Sequence, residues 1–216
     1  IGYPRWLWDK DDRRKPIPER NWEEASLYLV YCVKYLIARH GIPLAAIGIM
    51  NEPSSPKRHR FSVAQAVRFA KVLRAKLDEA GLHGVMIIPG TGISMDWMTK
   101  TIQEINKYPE YAPYIDVASG HHFSKGTISS VTSLNTKRWA TSAGYRGYLK
   151  EGGHGHIGIK ENVDDYIQHH FNMFRKNVNF YGVWQLYSKA GTEAQGDGKQ
   201  VLTSYDPTKV DRSFTN

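Results

Sequence analysis

Ala45-Ala46-Ile47-Gly48-Ile49-Met50-Asn51-Glu52-Pro53 is the stretch from which the rest of this chain can be read. Six uncharged residues run into a polar pair, the pattern of a strand buried on both faces that surfaces at its carboxyl end. Pro53 has no amide with which to continue a ladder, so the strand should stop there. Alternation puts Gly48, Met50 and Glu52 on one face, and Ile47, Ile49 and Asn51 on the other. With Gly48 marking a crowded interior, Glu52 would project from the same face at the strand's open end. The plain alternative is a capping or loop glutamate after an ordinary core strand.

Outward from this stretch, short apolar runs alternate with longer amphipathic ones, which predicts βα units around a parallel sheet. Upstream, Asn21 followed by Glu24 predicts a capped helix with Leu29, Val30, Val33, Leu36 and Ile37 as its apolar stripe and Gly41 as its stop. Downstream, Ser62 and Gln65 form a second capping pattern, opening a helix through Ala66, Phe69, Ala70, Leu73 and Leu77 that ends at Gly81. A strand is expected at 85–88, a strand-to-helix loop at Pro89-Gly90-Thr91-Gly92, a helix at about 95–106 and a strand at 115–118 that delivers Gly120-His121-His122-Phe123 to its end. A helix at 161–177, with Val163, Tyr166, Ile167, Phe171 and Phe174 as its stripe, leads to a last strand at 180–187.

The chain has 216 residues, enough for one domain or most of one. No run approaches the roughly eighteen apolar residues that a membrane span requires. Cys32 is the only cysteine, which rules out an internal disulfide and leaves the redox compartment open. A net charge of +8 permits an acidic partner, yet the basic residues lie in short bursts or among acids, with no nucleic-acid-binding module. A solvated basic exterior is the expectation, with no nucleic acid partner. The opening Ile1-Gly2-Tyr3-Pro4 has neither a start methionine nor a signal peptide, so a fragment or a mature piece is expected.

A carboxylate at the carboxyl end of a buried parallel strand is where a (β/α)8 barrel keeps its chemistry. Asn51-Glu52-Pro53 also resembles the Asn-Glu-Pro signature of the retaining clan A glycoside hydrolases. With His40-Gly41-Ile42-Pro43 as lead-in, it looks most like the glucosylceramidase and endo-β-1,6-galactanase branch. The resemblance implies a glycosidase acting in carbohydrate metabolism and polysaccharide degradation, secreted or extracytoplasmic, with a carbohydrate substrate and no cofactor. It makes Glu52 the general acid/base at the end of strand four and Asn51 the residue that holds the sugar's 2-hydroxyl.

Only about fifty residues precede Glu52, whereas each βα unit of a barrel takes about thirty. Since Tyr3-Pro4-Arg5-Trp6-Leu7-Trp8 resembles the loop after strand three, residues 1–216 are expected to form one partial (β/α)8 barrel lacking its N-terminal third. A partner or a missing segment would cover the open edge.

Retention requires a second carboxyl group about 5 to 5.5 Å from the first. Two registers compete to supply it from strand seven. In one, Gly147-Tyr148-Leu149-Lys150-Glu151-Gly152-Gly153 ends the strand, Glu151 is the nucleophile and 131–144 is the crossover helix. In the other, Arg138-Trp139-Ala140-Thr141-Ser142-Ala143-Gly144 resembles the family's strand-seven pattern and Ser142 stands in the nucleophile's place. A serine without a base cannot carry the double displacement, so that register makes an inactive carbohydrate-binding barrel. Glu151 is preferred because it supplies working chemistry.

His121 and His122 are candidates for contact with substrate or with a carboxylate, although Phe123 departs from the tyrosine usual in the family two residues after the first histidine. Trp184, Trp6 and Trp8 are candidate sugar platforms, while Trp97 and Trp139 are expected to pack on helices. His121-His122, His154-Gly155-His156 and His169-His170 lack the spacing of a metal site, and no metal is expected.

Overall fold

A computed structural model of the chain describes residues 3–8, 15–53, 61–121, 137–143, 171, 174–175, 178, 180–183, 187–189 and 203–205. The first helix, α1, spans Trp22–His40. It buries Trp22, Ala25, Leu29, Val30 and Val33 and stops at Gly41, whose φ of 65° is left-handed and whose amide donates to the Ile37 carbonyl. Asn21 precedes it without capping it. A 3₁₀ turn, Glu19–Asn21, already holds Asn21 out of the extended backbone that a cap requires. Its side-chain amide donates instead to the Leu7 carbonyl at 2.9 Å, tying the opening segment to the helix.

Strand β1 (Ala46–Gly48) is paired in parallel with β2 (Met86–Ile88), and α2 (Val63–Glu79) makes the crossover between them. The Ser62–Gln65 capping box forms as expected, each side chain bonded to the other residue's amide. At its far end Arg74 bridges helix and strand, donating to the carbonyls of Val85 (2.8 Å) and Leu82 (2.9 Å) and to Asp78 (3.0 Å). Desolvation of Asp78, the largest single influence, opposes its ionisation, but the bonds and charges of His83 and Arg74 together outweigh it and hold the carboxyl below its ordinary range. The core is apolar and aromatic, with Trp22 stacked on Phe69 (5.3 Å) and Ile47, Ile49, Ile87, Leu73 and Leu77 around them.

Residues 89–92 depart from the expected loop. Pro89-Gly90 only interrupts the strand, which resumes as β3 (Thr91–Gly92), bridged to Asn51 on one side and paired in parallel with β4 (Val117–Gly120) on the other. Helix α3 (Asp96–Lys107) crosses from β3 to β4. It comes so close that a Cβ on Gly92 would lie 2.1 Å from that of Trp97, and one on Gly120 would lie 2.7 Å from the Ser94 carbonyl oxygen. Trp97 is accordingly buried, as expected of a packing residue. Gly48 differs from expectation: it is exposed, and a Cβ there would meet nothing within 4 Å among the described residues.

Beyond β4 the sheet continues in parallel through β5 (Lys137–Ala143) and β6 (Phe180–Val183). β5 overturns the crossover helix expected at 131–144 over residues 137–143. Trp139 and Thr141, both strand formers, lie in the ladder and not on a helix. Of the run expected as a strand at 180–187, Phe180–Val183 forms β6 and Tyr187 opens β7 (Tyr187–Lys189), which pairs in parallel with β8 (Thr203–Tyr205); 184–186 lie outside the described residues. Phe171 and Phe174, expected to be buried by their helix, are 61% and 49% exposed. The alternation of strand and crossover helix from β1 to β4, joined by parallel pairing through to β6, is consistent with part of a (β/α)8 barrel.

Candidate active site

The polar pair announced by the opening stretch emerges where two strands end. Past β1, Ile49 and Met50 are buried, Asn51 is exposed and bridged to Thr91, and the Glu52 amide donates to the Thr91 carbonyl at 2.7 Å. That bond holds Glu52 at φ 52°, the only positive φ among the described non-glycine residues. A glutamate in left-handed backbone costs on the order of 1–3 kcal/mol, and such residues concentrate at functional sites. The turn breaks strict alternation and brings the carboxylate toward the end of β4.

There it meets His121. The His121 amide is fixed by the Gly92 carbonyl at 2.8 Å, its ring is 3% exposed, and its Nδ1 lies 3.2 Å from Glu52 Oε1. The Glu52 side chain retains 16% exposure. In the tautomer that carries its proton on Nδ1, His121 donates to the Glu52 carboxylate. On the adjoining strands β3 and β4, the hydroxyls of Thr91 and Ser119 lie 3.3 Å apart and buried.

The opening segment supports this end of the sheet from below. Tyr3 is buried, and its hydroxyl donates to the Ile49 carbonyl at 2.9 Å, three residues before Glu52. Burial, with Cys32 and Tyr28 nearby, pushes the Tyr3 phenol far above its ordinary range and keeps it a donor. Tyr3→Phe leaves the Ile49 carbonyl without that donor. It is expected to lower stability by about 1–3 kcal/mol in a denaturant melt. A melt unchanged from wild type would show that the bond does not anchor the strand.

The other candidate residues divide. Trp8 is 5% exposed, packed edge-to-face on Tyr3 at 5.9 Å, and so presents no open face for a sugar. Trp6, two residues earlier, is 62% exposed. His122, Glu151 and Trp184 lie outside the described residues. Ser142 is the penultimate residue of β5. Gly120 pairs with Ala140, so by that register His121 stands level with Thr141, and Ser142 lies one residue farther along. Between Ala140 and Ala143 the pairing of β5 with β6 shifts register, and Thr141 and Ser142 lie in that irregularity. The structure adds the left-handed backbone of Glu52 and the Tyr3 anchor. Pro53 hints at a sharp exit, whereas nothing in the local sequence around Tyr3 signals its bond. Among the described residues, no three His, Cys, Asp or Glu side chains cluster as a metal site. No described helix is long and apolar enough to cross a membrane.

No family model matches the chain, and no curated protein sequence matches it. Solved structures do. SrfJ from Salmonella typhimurium superposes with a TM-score of 0.74 at 18% identity, over 95% of this chain and 47% of that one. An endo-β1,6-glucanase gives 0.69 at 14% identity, over 88% of this chain and 45% of its own. The catalytic domain of GH30 xylanase C from Talaromyces cellulolyticus gives 0.65 at 15% identity, over 86% and 46%. The chain thus shares a fold with glycoside hydrolases and spans about half the length of these neighbours.

Proposed function

We propose that this chain carries a site for hydrolysing β-linked glycans, with Glu52 as the general acid/base and Glu151 as the nucleophile of a retaining double displacement. The observation that supports it best is the Glu52–His121 pair: a partly open carboxyl at the carboxyl end of a parallel strand, held by a buried imidazole from a neighbouring strand. Glu52 gives its proton to the glycosidic oxygen as Glu151 attacks the anomeric carbon, and the aglycone departs. Glu52, now a carboxylate, takes a proton from the water that displaces the sugar from Glu151. His121 holds the Glu52 carboxyl in one orientation through both steps, and Asn51 beside it holds the sugar's 2-hydroxyl. In the sequence Glu151 follows Ala143, the last residue of β5, by eight residues. Trp6 offers an exposed aromatic face for a sugar ring. Residues 1–216 act in this reading as a single partial barrel, and a glucan or xylan backbone is the substrate class that the fold neighbours suggest.

One observation favours a second reading. β5 occupies the place beside β4 that the Ser142 register assigns to strand seven. If the sugar's anomeric carbon faces Ser142 and no carboxylate, the barrel binds glycan without cleaving it.

Soluble β-1,6-glucan and β-xylan are the first substrates to test, with reducing-end release for turnover and calorimetry for binding. The proposal expects both release and binding. Binding without release moves the chain to the second reading, and neither would overturn both.

A further inference from the structure

On α1, opposite the buried Ala25, Leu29 and Val33, lies a line of large side chains that none of the described residues covers. Leu27, Tyr31 and Tyr35 are 52%, 67% and 53% exposed and follow one another at intervals of four residues. Tyr31 and Tyr35 stack at 6.4 Å, forming one continuous aromatic surface. Single exposed apolar residues are ordinary; a line of three along a helix marks a contact surface. The stripe is narrow and tyrosine-rich, as in a helix-to-helix interface where hydroxyls keep some water.

Its charges identify the occupant. Glu23 and Glu24 stand at the amino end of the exposed face, while Lys34 and Arg39 stand toward the carboxyl end. When a second α1 is laid antiparallel, with the two-fold axis at Tyr31, Leu27 of each copy meets Tyr35 of the other. Glu23, 74% exposed and 3.9 Å from Lys76 of its own chain, then meets Arg39 as well, Glu24 meets Ala38, and Lys34 meets the ring of Tyr28. No like charges oppose one another in that register, and the two helix dipoles run antiparallel.

We infer that a second copy of this chain docks there, forming a two-fold dimer through antiparallel α1 helices centred on Tyr31. This inference is independent of the proposed hydrolysis.

Sedimentation of the full chain at high micromolar concentration should give a species of twice 24.6 kDa. Tyr31→Asp sets two carboxylates against each other at the axis and should give monomer. Arg39→Glu opposes Glu23 of the other copy and should weaken the dimer on the order of tenfold. Adding Glu23→Arg to it restores the pairing with reversed sign, and should recover the affinity. All the substituted positions are exposed, and circular dichroism of each variant should match wild type. A monomeric wild type would overturn the inference and leave the stripe to a neighbouring helix of a completed barrel. An open-ended series of oligomers, a dimer that survives Tyr31→Asp, or a double variant no tighter than Arg39→Glu would each overturn it too.

Discussion

Glu52→Gln should reduce turnover of a β-linked oligosaccharide by about 10²–10⁴-fold, because an amide cannot protonate the departing sugar oxygen. The substitution keeps size and shape and still accepts from His121 Nδ1–H, now without the carboxylate's charge. Binding measured by calorimetry should therefore change little. The leaving group provides a signature that a structural defect would not. An aryl glycoside whose phenol departs readily as an anion needs little protonation, so the variant should lose far less in forming the glycosyl-enzyme from it than from an unactivated disaccharide. Equal losses on both substrates would indicate general damage to the site, and unchanged turnover of the disaccharide would remove Glu52 from the mechanism.

The second large effect separates the two registers for the nucleophile. Glu151→Gln should abolish turnover on every substrate, aryl glycosides included, since no leaving group compensates for a missing nucleophile. Ser142→Glu in the otherwise unchanged chain should then do no better than wild type, because it adds a second negative charge to a working site. The inactive-barrel reading expects the reverse: a wild type without turnover, indifferent to Glu151→Gln, that gains hydrolysis when Ser142→Glu places a carboxylate on β5. The two substitutions thus move in opposite directions under the two readings.

Features that rest on neighbouring residues are legible in this sequence, and features that rest on distant partners are not. The strand ahead of Asn51-Glu52 showed in its apolar run, but at Ala46–Gly48 it is shorter than that run, because its bounds depend on pairing with Met86–Ile88. The Ser62–Gln65 capping box and the stop at Gly41 rest on interactions within a few residues, and each could be read directly. Asn21 could not, because its amide found a partner in Leu7, fourteen residues away in the chain, and left the helix end uncapped. β3 was hidden for a similar reason: Pro89-Gly90 reads locally as a loop, and only the long-range partners Asn51 and Ser119 show that the strand resumes. Glu52 and His121 were separately legible as strand-end residues, but their contact spans 69 positions and depends on a positive φ that no pattern predicts. Trp8 failed as a sugar platform because alternation cannot distinguish a ring packed on Tyr3 from one facing solvent two residues earlier.

The most direct measurement is the configuration of the first sugar released, followed by proton NMR during hydrolysis of a β-linked aryl oligosaccharide. Two carboxyl groups acting in succession on one anomeric centre predict that the β anomer appears first and the α anomer grows in only by mutarotation. The α anomer as first product would contradict a double displacement at this site, and no product at all would contradict hydrolysis by this chain.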